Sequence, residues 1–140
     1  MKKTISTILG LAALSLVTLT TSCSSDDNNN SGPKSDFVVV RDNLQGEINS
    51  GEVVLESGTY KLTGKLVVKN TAKLTIKPGV IIEATALPAD QLAAVRYIAI
   101  AQGGLIDVQG TASNPVIMTA EVKKPAAWGG LVLCGKAPIN

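Results

Sequence analysis

The side chains able to do chemistry are few, and one type is missing altogether. The 140-residue chain contains no histidine, which removes Ser-His-Asp catalysis, Cys-His catalysis and histidine-built metal sites together. What remains are the carboxylates Asp107, Glu83 and Glu121 and the cations Arg96, Lys123 and Lys124. Such groups cleave glycans or hold calcium when carboxylates cluster, or when a Lys or Arg base stands beside them. The repeat described below stacks Asp107 on Thr75 and Glu83 on Thr119, so no column of two carboxylates forms. Their ordinary role is that of solvated charges on an outer face. Trp128 is a candidate sugar-stacking platform and Asp107 a second candidate ligand contact; the alternative for Trp128 is packing over a corner beside Gly129-Gly130. No Gly-rich phosphate loop of the required pattern occurs. The residues therefore supply no catalytic constellation, no metal ligand set and no cofactor site.

The two cysteines divide by position. Lys2 and Lys3 precede an apolar run from Ile8 to Leu19, the charged and hydrophobic regions of a secretory leader; twelve residues are too few to span a bilayer, which needs roughly 20. At its end, Leu19-Thr20-Thr21-Ser22-Cys23 resembles the lipobox of bacterial lipoproteins, although leucine stands one place further back than that family prefers. The resemblance implies cleavage after residue 22 and acylation of Cys23, where several chains together anchor stably. The alternative is an ordinary leader and a soluble product. Residues 23–35 then read as a polar tether, since Ser24-Ser25-Asp26-Asp27-Asn28-Asn29-Asn30 has nothing apolar to bury. Its Ser-Asp-Asp start resembles the export tag of Bacteroidota-type surface lipoproteins, which implies an outer-membrane, surface-exposed location. Cys134 has no partner once Cys23 is acylated and reads as a small packed residue.

Two of the 13 basic residues lie in the leader, leaving 11 against 11 acidic ones in the mature region. A neutral, mixed surface has no basic footprint, so nucleic acid is excluded as a partner. The expected partners are the membrane, through the anchor, and glycans or another surface protein.

The elements that would position these residues come from a repeat, which outranks local propensity. Residues 66–76 fall without a gap on 98–108, so that Leu66, Val68, Leu74 and Ile76 meet Ile98, Ile100, Ile106 and Val108. A third copy begins at Leu131, with Leu133 and Ile139 in the same places. Val80–Glu83 and Val116–Thr119 add a third strand to the first two copies. Short strands of period two cannot bury a face alone and are best buried by stacking coil on coil. Corners such as Lys77-Pro78-Gly79 and Ser113-Asn114-Pro115 fit. Residues 87–96 read as an insertion with a helical turn. Phe37–Val40 and Glu52–Leu55 read as strands of an N-terminal cap over 36–62, ahead of coils over 63–140.

With Asn114-Pro115-Val116-Ile117-Met118-Thr119-Ala120 followed by Trp128-Gly129-Gly130-Leu131, the chain resembles the pectin-lyase-like surface lipoproteins. That resemblance implies an all-β fold, a right-handed parallel β-helix of roughly two and a half coils, and says little about activity. A β-sandwich is the competing architecture, but it has no reason to repeat. The third copy stops within its second strand, which reads as truncation of a longer parent. Three functions follow in order: a surface scaffold that is structural or binds ligands, a glycan-cleaving enzyme whose site lies in further coils, and a truncated reading frame.

Overall fold

The computed structural model describes residues 33–87 and 95–136. The expected leader, Cys23, the tether up to residue 32, most of the helical turn near Asp90 and the strand position at Ile139 lie outside the described residues. Nine strands follow in order: β1 (Leu44–Ile48), β2 (Gly51–Leu55), β3 (Gly58–Val68), β4 (Ala72–Ile76), β5 (Val80–Ala84), β6 (Tyr97–Ile100), β7 (Leu105–Val108), β8 (Ile117–Ala120) and β9 (Leu131–Leu133). Every strand pairing among them is parallel. No two consecutive strands lie side by side, so each must cross over before it meets its neighbour.

The pairing defines a parallel β-helix. One sheet, β2-β4-β7, collects the second strand of each coil; the other, β8-β5-β3-β6-β9 with β1 on β3, collects the first and third strands and bends along β3. The registers predicted by the repeat hold: Leu66 pairs with Ile98 and Val68 with Ile100, Leu74 with Ile106 and Ile76 with Val108, Ile98 with Leu131 and Ile100 with Leu133.

The segment expected to cap the helix makes a coil of its own. Ile48 pairs with Val68, Val53 with Leu74, Leu55 with Ile76 and Tyr60 with Ile82, so the described chain holds three coils and the first strand of a fourth. Phe37–Val40, expected as a strand, is irregular; only Lys34 bridges in parallel to Glu52. It straps across the first coil, with Phe37 and Val39 packed on the core.

Inward columns such as Val53-Leu74-Ile106 and Ile48-Val68-Ile100 fill the interior, where Leu55, Leu62, Leu66, Leu74, Ile76 and Ile82 are fully buried. The backbone repeats the same bond at each level: Lys69, Ala101 and Cys134 donate their N–H groups to the carbonyls of Ile48, Val68 and Ile100, one coil apart. Parallel stacking thereby satisfies peptide groups that burial would otherwise strand.

Leu74 is enclosed by coils on both sides, whereas Leu105 points outward and is 60% exposed. Leu74→Ala should lower stability by about 2–5 kcal/mol and Leu105→Ala by no more than ~0.5 kcal/mol, measured by denaturant unfolding of both variants. Equal losses at the two positions would contradict the stacked core.

Candidate functional site

Two groups of charged side chains stand on the outside of the coils. The first lies on the outer face of β2-β4-β7, where pleating turns Glu52, Lys73, Thr75 and Asp107 outward. Strand pairing sets Glu52 beside Lys73, and Thr75 beside Asp107. Lys73 Nζ reaches Glu52 Oε1 at 3.0 Å and Asp107 Oδ2 at 3.7 Å, bridging all three coils. The Thr75 hydroxyl donates to Glu52 Oε1 at 2.6 Å, and Gln109 Nε2 donates to Asp107 Oδ2 at 2.9 Å.

The second group lies at the corner after the third strand of each coil. In the first coil this corner is only Thr63-Gly64, within β3; in the second and third it opens into the segments 85–96 and 121–130. The pairing Lys61–Glu83–Thr119 runs across the coils beneath them. Lys61 Nζ meets Glu83 Oε2 at 2.5 Å, while Lys123 Nζ lies 3.5 Å from Glu83 Oε1 and donates to the Ala120 carbonyl at 2.5 Å and to Thr119 Oγ1 at 3.1 Å. The two segments also clasp each other: Ala86 N–H donates to Glu121 Oε2 at 2.9 Å, and Gly129 N–H to the Arg96 carbonyl at 2.7 Å. Between them lies a small hollow of about 110 Å³ walled by Ala84, Leu87, Val122, Lys124 and Ala127.

The electrostatics of both groups point the same way. The Thr75 hydroxyl first, then the Lys73 ammonium, hold the Glu52 carboxyl below its ordinary value, and Glu52 in turn raises Lys73. Lys61 lowers Glu83, and Glu83 raises Lys61. A general acid or base works best with its pKa near the operating pH. These pairs move carboxylates down and ammoniums up, away from neutrality. They fix charges in place and are poorly suited to exchanging protons.

The candidate residues read from the sequence separate accordingly. Asp107 joins the first group; Glu83, Glu121 and Lys123 join the second, and Lys124 lines the hollow. Arg96 was expected to face outward, but it is only 8% exposed and its Nε donates to Thr85 Oγ1 at 2.8 Å. Cys134 was expected to be packed, yet it is exposed, since it lies just past β9, whose outer edge no described strand covers. Trp128 is half-buried and packs against the core beside the corner. Sequence reasoning missed Glu52, Lys73 and Lys61. Their signal was the spacing between the first two coils, Glu52 to Lys73 and Lys61 to Glu83, 21 and 22 residues apart.

Among the described residues no group of three or more His, Cys, Asp or Glu side chains is placed to hold a metal ion. The sequence profile of the pectate-lyase-like β-helix domain matches residues 46–140. The chain belongs to the pectate-lyase-like β-helix family. No curated protein and no solved structure matches it. The family match begins inside β1, so the first coil belongs to the β-helix domain by sequence as well as by pairing. A β-helix domain is a scaffold on which unrelated functions are built, and the family alone assigns no reaction to these charges.

The ion pairs of this β-helix domain contribute to its pH response. A lowered Glu52 and Glu83 stabilise the fold above the ordinary carboxyl value of 4.5, and that contribution is lost as pH falls through the lower folded-state values. A raised Lys73 and Lys61 stabilise below 10.5, and theirs is lost as pH rises through the higher folded-state values. The thermal midpoint should therefore be level between these limits and fall outside them. In a Glu52→Gln, Glu83→Gln double variant the acid limb should flatten while the alkaline limb loses its lysine partners; an unchanged acid limb would show that these pairs contribute nothing to stability.

Proposed function

We propose that this chain is a lipid-anchored cell-surface protein whose β-helix serves as a rigid scaffold for binding a glycan or another surface protein. The anchor rests on Cys23 at the end of the apolar leader, and display at a distance from the membrane rests on the polar stretch from Ser24 to Gly32. The observation that carries the scaffold reading is the outward charge arrangement: Glu52, Asp107 and Glu83 are each engaged by a lysine. Such clamped pairs suit a stable outer wall. Binding is assigned to the corner segments, because loops held on a rigid support are where recognition residues concentrate. Trp128, half-buried beside that corner, is the candidate stacking aromatic.

The family supports a second reading, a domain of a polysaccharide lyase or glycoside hydrolase. That reading requires a carboxylate or lysine released from its partner, at a place other than the two ion-paired groups.

Cells expressing the full chain and fed labelled palmitate should label the protein, and Cys23→Ala should abolish the label; label retained in the variant would remove the anchor from Cys23. On a glycan array, Trp128→Ala should reduce the signal about tenfold or more, the loss expected from one aromatic stacking contact. An undiminished signal would take recognition away from that corner.

A further inference from the structure

A larger concavity, about 270 Å³, lies at the first coil and belongs to neither charged group. It forms where the strap 33–43 leaves the coil and then rejoins it. At its start the strap is pinned by Glu52 N–H donating to the Pro33 carbonyl at 3.0 Å. Gly51, at φ +70°, permits this: a Cβ there would lie 2.3 Å from the Pro33 oxygen. At its far end Lys61 N–H donates to the Arg41 carbonyl at 2.6 Å, and the Arg41 guanidinium sits 4.7 Å from the centre of the Tyr60 ring. Between these pins the Phe37 ring lies over Gly46, 3.3 Å from where a Cβ would stand, and its N–H is taken by the Ser35 hydroxyl at 3.2 Å. The walls are thus held before any ligand arrives, which reduces the ordering cost of binding.

The lining decides the class of ligand. Asp36 and Glu47 supply acceptors, Asn49 a donor and acceptor together, Ser50 a hydroxyl and half-buried Phe37 an apolar surface. Two carboxylates disfavour an anion, with Lys69 already paired to Glu47 at 3.3 Å. A ligand with many hydroxyl donors and a flat C–H face matches the remainder. We propose that this cleft binds one ring of a neutral sugar. The proposal rests on the scaffold reading only in that the protein binds something; it adds a second site at the strap, apart from the corner that carries Trp128.

The test uses the isotope-labelled full chain in detergent micelles, titrated separately with glucose, galactose, mannose, glucuronate and trilysine while amide resonances are followed. At least one neutral sugar should shift the amides of residues 35–38 and 47–50. Asn49→Ala should weaken that binding about tenfold, and Asp36→Asn, which keeps the acceptor oxygen and removes the charge, by less than about threefold. Both variants must first show the unliganded spectrum of the parent outside the cleft. No shift with any neutral sugar overturns the proposal, as do shifts at the cleft from trilysine or glucuronate alone. Shifts confined to the surroundings of Trp128 would overturn the cleft while supporting the corner as the binding surface.

Discussion

A coil of this protein cannot satisfy its own backbone. Each strand is three to five residues long, or eleven where β3 runs through a corner, and consecutive strands do not pair. Every ladder bond therefore comes from the coil above or below. That constraint demands equal strand directions and matched inward positions at each level, and it leaves only the corners free to change length. Residues 85–96 enter at a corner without disturbing the pairing of Val68 with Ile100 or Ile76 with Val108 on either side. The same constraint makes the solenoid tolerant of loops and intolerant of shifts in register.

The sequence discloses this arrangement where two coils share a spacing. Residues 66–76 and 98–108 match without a gap because the insertion at 85–96 lies outside both stretches. The first coil is only 18 to 22 residues from the second, against 32 to 36 between the second and third, so the longer interval does not reveal it. Its inward positions also differ in size, with Gly46 opposite Leu66 and Tyr60 opposite Ile82. With that coil unrecognised, Glu52 and Lys61 had no assigned neighbours. The run of aromatic and β-branched residues Phe37–Val40 is a genuine strand signal, but a parallel strand needs a neighbour in the stack, and Phe37 and Val39 pack on the core instead.

The charged groups follow from the same geometry. Columns on the outer face hold one carboxylate at most, as the sequence suggests from Asp107 over Thr75 and Glu83 over Thr119. The structure adds the lysine: Lys73 reaches Glu52, its direct partner in one neighbouring coil, and Asp107 on the diagonal in the other. Exposed pairs of this kind are individually worth little. Their effect on chemistry is larger than their effect on stability, because a carboxylate accepting from a lysine and a threonine hydroxyl is a weak base.

A β-helix can become selective either along its flat faces or at its corners, and the two routes differ in what they require. A face site needs several outward columns freed from mutual pairing, and it changes only by substituting residues whose partners lie one coil away. A corner site needs only a loop that can lengthen while the ladder beneath stays fixed. In this chain the face of β2-β4-β7 is spent on Glu52, Lys73, Thr75 and Asp107, and the Lys61–Glu83 pairing ties the coils beneath the loops. The length variation lies at the third corner, from two residues in the first coil to segments that clasp each other through Glu121 and Gly129 in the next two. Recognition built at the corners, or at the strap that closes the first coil, leaves the stacking intact; recognition built on the face would first have to break the pairs that hold it.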